Sequence, residues 1–197
     1  MVDGFINLPA SLKGKVRIYE LDRPTETLFQ RDNVIVQGVS YLFARLLANS
    51  TDPVAGIWGL ALGSGAVNTA GWSASSQPDP TATQTAMVAE IKRKALSQVR
   101  YIGSDGNPTT TLTTKVSFQT VINATTDAIT IPIREMGLIG GGTTLTANGG
   151  PTNMLTGNYF DPAAPVANAV YLINYITIPP LVLPASINIG IDWLLSL

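Results

Sequence analysis

Short stretches in which apolar and polar positions alternate recur along the sequence. Over residues 12–20, Leu12, Val16 and Ile18 fall on one side and Lys13, Lys15, Arg17 and Tyr19 on the other, which predicts a strand. Asp22-Arg23-Pro24 predicts a turn, since proline fixes its own backbone and restricts its neighbour. Residues 28–36 read as a return strand interrupted by the polar group Gln30 to Asn33. The period then changes. Val39, Leu42, Phe43, Leu46 and Leu47 recur at helical spacing, so an amphipathic helix that begins at Val39 and ends at Ala48 is expected to turn this stripe to a core. Gly38 precedes it, and Asn49 can take the left-handed conformation that ends a helix.

Further on, residues 57–62 form a short apolar run entering the Gly63-Ser64-Gly65 turn. Residues 71–85 are rich in Ser, Pro, Thr and Gln and predict a long surface loop or arm. Trp72 within it is expected to pack on something, and a neighbouring subunit is the partner this reading assigns. Residues 86–99 fit a short helix or a strand equally. Residues 103–108 (GSDGNP) form a turn cluster. A Thr-rich strand is expected over residues 109–122, with Leu112, Thr114, Val116, Phe118 and Thr120 on one face. A turn follows over residues 123–127, and Ile129, Ile131 and Ile133 alternate beyond it, with Pro132 pushing that strand towards an edge or bulge. Residues 140–151 read as a flexible loop, and residues 171–178 and 186–195 as strands. In the last, Ile187, Ile189, Ile191 and Trp193 alternate with Ser186, Asn188, Gly190 and Asp192. Many short strands, one helix and no internal repeat predict a single mainly β domain over residues 1–197, an antiparallel β-sandwich with long surface loops.

Composition narrows the function. Only 13% of the residues are charged, against about 25% in ordinary soluble domains. Beyond Glu135 the only charged side chains are Asp161 and Asp192. A surface this poor in charge is expected to be covered by partner subunits, so a homo-oligomer, with a trimer favoured, is the expectation. A net charge of −1 offers no positive field for nucleic acid. The uncharged stretch of residues 166–191 is broken by Asn168, Asn174, Asn188, Pro179, Pro180 and Pro184, which argues for buried strands rather than a membrane span. The first ten residues lack the basic start and apolar core of a secretory signal.

The chain has no Cys and no His, which removes disulfides, thiol nucleophiles, imidazole bases and the usual zinc and iron–sulfur ligands. Gly63-Ser64-Gly65 completes neither a P-loop nor a dinucleotide fingerprint, because no Lys follows. Lys92-Arg93-Lys94, close to Glu90, reads as a solvated face or an intersubunit salt bridge. The acids are scattered singly, Glu20 and Asp22 being the closest pair, beside a turn. This is unlike the carboxylate pairs, roughly 5–10 Å apart, of glycoside hydrolysis. Asp105-Gly106-Asn107 lacks the further ligands of a calcium loop, and the two sequon-like tripeptides at Asn49 and Asn123 are short enough to arise by chance. No enzyme, cofactor, metal or small-molecule substrate is expected.

The order of segments carries a resemblance. Asn33-Val34-Ile35-Val36-Gln37-Gly38 leads into the helix, and Ala61-Leu62-Gly63-Ser64-Gly65 closes the next strand. Glu135-Met136-Gly137-Leu138 and a terminal Ile189-Gly190-Ile191-Asp192-Trp193 follow. In this order the motifs resemble a loose group of small virion structural proteins of tailed bacteriophages. That resemblance implies a non-enzymatic virion component, in the tail, baseplate or fibre-attachment region, whose partners are itself and other virion proteins. A capsid cement protein is the alternative, and a carbohydrate-binding β-sandwich module stacking sugars on Trp58, Trp72 or Tyr101 is a further one. Candidate interface residues are Trp58, Trp72, Tyr101, Tyr171 and Tyr175.

Overall fold

A computed structural model describes residues 12–48, 56–66, 72–73, 77–127, 129–142, 154–155, 159–160, 170–184 and 186–197. Its strands are β1 (Lys13–Glu20), β2 (Thr27–Ile35), β3 (Ile57–Gly63), β4 (Glu90–Ala95), β5 (Gln98–Ile102), β6 (Pro108–Thr109), β7 (Lys115–Ile122), β8 (Ile133–Gly141), β9 (Met154–Leu155), β10 (Tyr159–Phe160), β11 (Val170–Leu172), β12 (Asn174–Leu181) and β13 (Ile189–Ser196). The helix α1 (Gly38–Ala48) and the single turn α2 (Ala124–Asp127) complete the set. The fold is mainly β and antiparallel, with one substantial helix.

The ladder runs β6-β5-β7-β13-β1-β2 and continues as β12-β8-β3-β4-β10-β9, with β11 also on β8. The two halves join where Asn174 and Tyr175 pair with Ile35 and Val34, so the strands form one linked order and not two separate sheets. Both halves nevertheless bury their inner faces together. Val16, Ile18, Ile191 and Trp193 from one half meet Leu60, Leu62, Met136 and Ile176 from the other, with Val39 and Leu42 of α1 in the same core. β13 lies between β1 and β7 along its whole length. Its alternation therefore aims Ile189, Ile191 and Trp193 inward and Asp192 outward. β3 and β8 bear a second apolar cluster on their other face, built on Trp58, Ala61, Ile139 and Tyr175. Burial on both faces explains why β3 reads as a continuous apolar run.

Several expectations change. β2 runs unbroken through Gln30 to Asn33, whose backbone pairs with β1. Of the two readings left open for residues 86–99, the strand is the one found, as β4 and β5 joined through Leu96 and Ser97. The Thr-rich strand begins only at Lys115, leaving Leu112 exposed. β8 begins at Ile133, directly after Pro132, where a missing N–H costs no ladder bond. In α1, Val39 and Leu42 are buried, but Leu47 is 82% exposed and Leu46 is also exposed, because the last turn runs past the core. The expected cap at Asn49 lies outside the described residues. So does most of the loop expected over residues 140–151, of which Gly140 and Gly141 belong to β8. The described parts of 71–85 carry no helix or strand. The uncharged stretch holds β11, β12 and the start of β13, and no helix among the described residues is long and apolar enough to cross a membrane.

Candidate functional site

Of the five aromatic candidates, three pack inside their own chain. Trp58 is buried, and its Nε1 donates to the carbonyl of Gly141 at 2.8 Å. Tyr175 is buried and donates its hydroxyl to Glu135. Trp72 is buried as well, against Gly65. Gly65 has φ +64°, and a Cβ there would stand 2.1 Å from the Trp72 ring, so the Gly-Ser-Gly turn is a seat for this indole. The expectation that Trp72 reaches a neighbouring subunit is thereby corrected: its ring packs within its own chain, on the Gly65 turn that follows β3. Trp58 and Trp72 likewise present no open platform for a sugar. Tyr171 is half-buried and stacks on Tyr41 with ring centroids 6.0 Å apart. Only Tyr101, 38% exposed on β5, stands at an open edge.

That edge is the candidate contact surface. Directly paired residues share a face of the sheet, so Val16, Trp193, Phe118 and Val99 form one inward row across β1, β13, β7 and β5. Exposure rises along it from 0% at Trp193 to 52% at Val99. The next row adds Tyr101 opposite the half-buried Val116, and Leu197, also exposed, follows the end of β13. The core thus continues as an uncovered apolar strip. On its outer side β5 pairs only with β6, through Tyr101 and Ile102, so Gln98 to Arg100 have no strand partner there among the described residues. Exposed apolar side chains beside a partly unpaired strand edge are the features that natural edges normally blunt.

Two buried polar centres escaped the sequence reading. Glu135, 0% exposed in β8, accepts the backbone N–H groups of Gly65 (3.3 Å) and Ala89 (2.7 Å) on Oε1, and those of Val88 (2.9 Å) and the Tyr175 hydroxyl on Oε2. It lies opposite Gly63, where a Cβ would come within 2.4 Å of Oε1, so only glycine leaves the carboxylate room. Burial first, and then the bond to Glu135, raise the Tyr175 phenol well above its ordinary value. The second centre is the Lys94–Asp127 ion pair, buried at both ends, with Asp127 Oδ2 also accepting the N–H of Asn123 at 2.6 Å. Lys92 donates to the Asp127 carbonyl and Arg93 pairs with Glu90. The basic cluster is therefore tied up within the chain, which corrects the solvated face or intersubunit bridge expected for it. Asp127, the last residue of the predicted turn, gave no local sign of this pairing.

Among the described residues no group of three His, Cys, Asp or Glu side chains could hold a metal ion. No protein-family model matches the chain, and no curated protein matches it.

Proposed function

We propose that this chain is a non-enzymatic structural subunit of a tailed-phage particle, working by protein–protein assembly in the tail, baseplate or fibre-attachment region. The observation that carries the assembly reading is the open β5 edge, where Val99 and Tyr101 extend the core face into solvent beside backbone that has no strand partner among the described residues. A second strand added there would extend the ladder and cover the apolar strip in one step. The virion assignment rests on the ordered motifs, which fall at the end of β2 and the entry to α1, the end of β3, the middle of β8 and the first five residues of β13. All four belong to the framework, so they mark a shared scaffold more than a shared contact. The test is an antibody raised against this chain and applied to intact particles in electron micrographs. Labelling at the tail or baseplate is the expected result. Labelling spread over the shell would move the protein to the cement role, and particles lacking the chain altogether would overturn the reading.

A further inference from the structure

The half formed by β5, β7, β13, β1 and β2 has an outer face, and the register lines polar side chains across it. Gln98, Gln119, Asp192, Arg17 and Gln30 are neighbours in one row. Arg100, Ser117, Leu194, Lys15 and Asp32 form the row beside it. Their charges largely answer one another. Asp192 stands opposite Arg17 and Asp32 opposite Lys15, and Arg100 hydrogen-bonds the Gln98 amide oxygen. All of these residues but Asp32, together with Ile102 and Pro108 of the β5–β6 hairpin, line a cavity of about 380 Å³.

The hydrogen-bonding capacity of the lining is only partly used. Tyr19, buried and outside the lining, donates to Asp192 Oδ1 at 3.3 Å and accepts from the Gln119 amide nitrogen at 2.7 Å. That nitrogen also donates to Asp192 Oδ1, at 3.0 Å, so the carboxylate is held from one side. Its other oxygen, Oδ2, stands 3.9 Å from Arg17, beyond hydrogen-bonding distance. Among the described residues, Asp192 Oδ2 and Gln119 Oε1 accept no hydrogen bond. Across the cavity, the Gln98 amide nitrogen donates none, and Arg100 uses a single nitrogen on Gln98. Free acceptors on β7 and β13 thus lie beside free donors on β5. A hydroxyl group donates and accepts at once, so a ligand with several of them meets both sets. An anion only accepts and would face the Asp192 carboxylate. Leu194 is the one apolar member of its row, and with Ile102 and Pro108 it offers aliphatic surface to the C–H face of a sugar ring. No aromatic ring lines the cavity, so recognition here is by hydrogen bonding and aliphatic contact rather than by stacking. Its volume lies at the small end of the roughly 300–1,000 Å³ usual for small-molecule sites.

We infer that this outer face binds a neutral polyhydroxy ligand of the sugar class, held between Gln98 and Arg100 on one side and Gln119 and Asp192 on the other. The site lies on the face opposite the apolar strip and does not depend on the assembly reading. Titration calorimetry on the full chain would use trisaccharides of glucose, galactose and mannose, each beside its uronate counterpart. At least one neutral trisaccharide should bind, and more tightly than its uronate. Its affinity should not change when the ionic strength is raised, since the ligand carries no charge to be screened. Asp192→Ala should weaken that binding at least about tenfold, through loss of a hydrogen bond to a charged acceptor. Gln98 is exposed, so Gln98→Ala should melt as the parent does and bind about two- to tenfold more weakly. That second variant decides the matter if Asp192→Ala does not fold. No binding of any neutral trisaccharide, tighter binding of a uronate, affinity lost at high salt, or undiminished binding by Gln98→Ala would each overturn the assignment.

Discussion

Replacing Glu135 with glutamine turns one oxygen into an NH₂ group in a pocket where four donors converge. The amide has two ways to sit. With its nitrogen at the Oε1 position, the N–H groups of Gly65 and Ala89 both face a donor. With its nitrogen at the Oε2 position, the Tyr175 hydroxyl can reverse and accept, and only the Val88 N–H is stranded. The second arrangement costs less. A stranded buried donor costs about 1–3 kcal/mol, and exchanging charge-assisted bonds for neutral ones adds about 1 kcal/mol. Glu135→Gln should therefore destabilise by about 2–4 kcal/mol, a large share of a domain stability of about 5–15 kcal/mol. Tyr175→Phe should cost less in the Glu135→Gln background than in the wild type, with a coupling of about 0.5–3 kcal/mol between contacting partners. Urea unfolding of the wild type, both single variants and the double variant reads these values, provided the m-value stays constant. A Glu135→Gln variant within about 0.5 kcal/mol of wild type, or a coupling indistinguishable from zero, would refute the reasoning.

Lys94→Ala should cost about 3–5 kcal/mol by leaving Asp127 buried without its cation, and the same urea assay measures it. Stability should also fall in alkali. The folded-state pKa of Tyr175 is raised, so its contribution is complete below the unfolded value near 10 and is lost as pH rises beyond it, by about 1.4 kcal/mol per pH unit. Melting temperatures measured from pH 8 to 11 should show that decline, and it should be shallower in Tyr175→Phe. Truncation after Pro184 removes β13 from between β1 and β7, exposing two interior strand edges and emptying the core of Trp193. The shortened chain should be insoluble or unfolded by circular dichroism, and a cooperative melt near the full-length temperature would contradict this.

Elements with one buried face were legible in the sequence. β1 and β13 alternate because each has a core side and an open side, and the hairpin of residues 103–107 closes through the bond from Gly103 N–H to the Asn107 carbonyl where its turn residues predicted it. What lay hidden depends on register between distant strands. Nothing local separates Glu135, at the centre of a hydrogen-bonding hub, from Glu20, which pairs with Arg23 at a turn. Trp72 in a polar loop reads the same whether it docks on its own chain or on another. The deciding partner is the positive-φ Gly65. The helix stripe misled for a simpler reason: its period was right, but the core ends before Leu46 and Leu47.

Sedimentation velocity of the purified chain, beside a Val99→Asp/Tyr101→Asp variant, tests the assembly claim most directly. Both positions are exposed in the single chain, so the substitutions place charge on the open edge without entering the core. Obligate contacts are large and apolar, and a charge within one is strongly unfavourable. The wild type should sediment as a dimer or larger, with a trimer favoured, and the variant as a folded 20.8 kDa monomer. A wild type that remains a monomer at micromolar concentration, or a variant that assembles as fully as the wild type, would contradict assembly through β5.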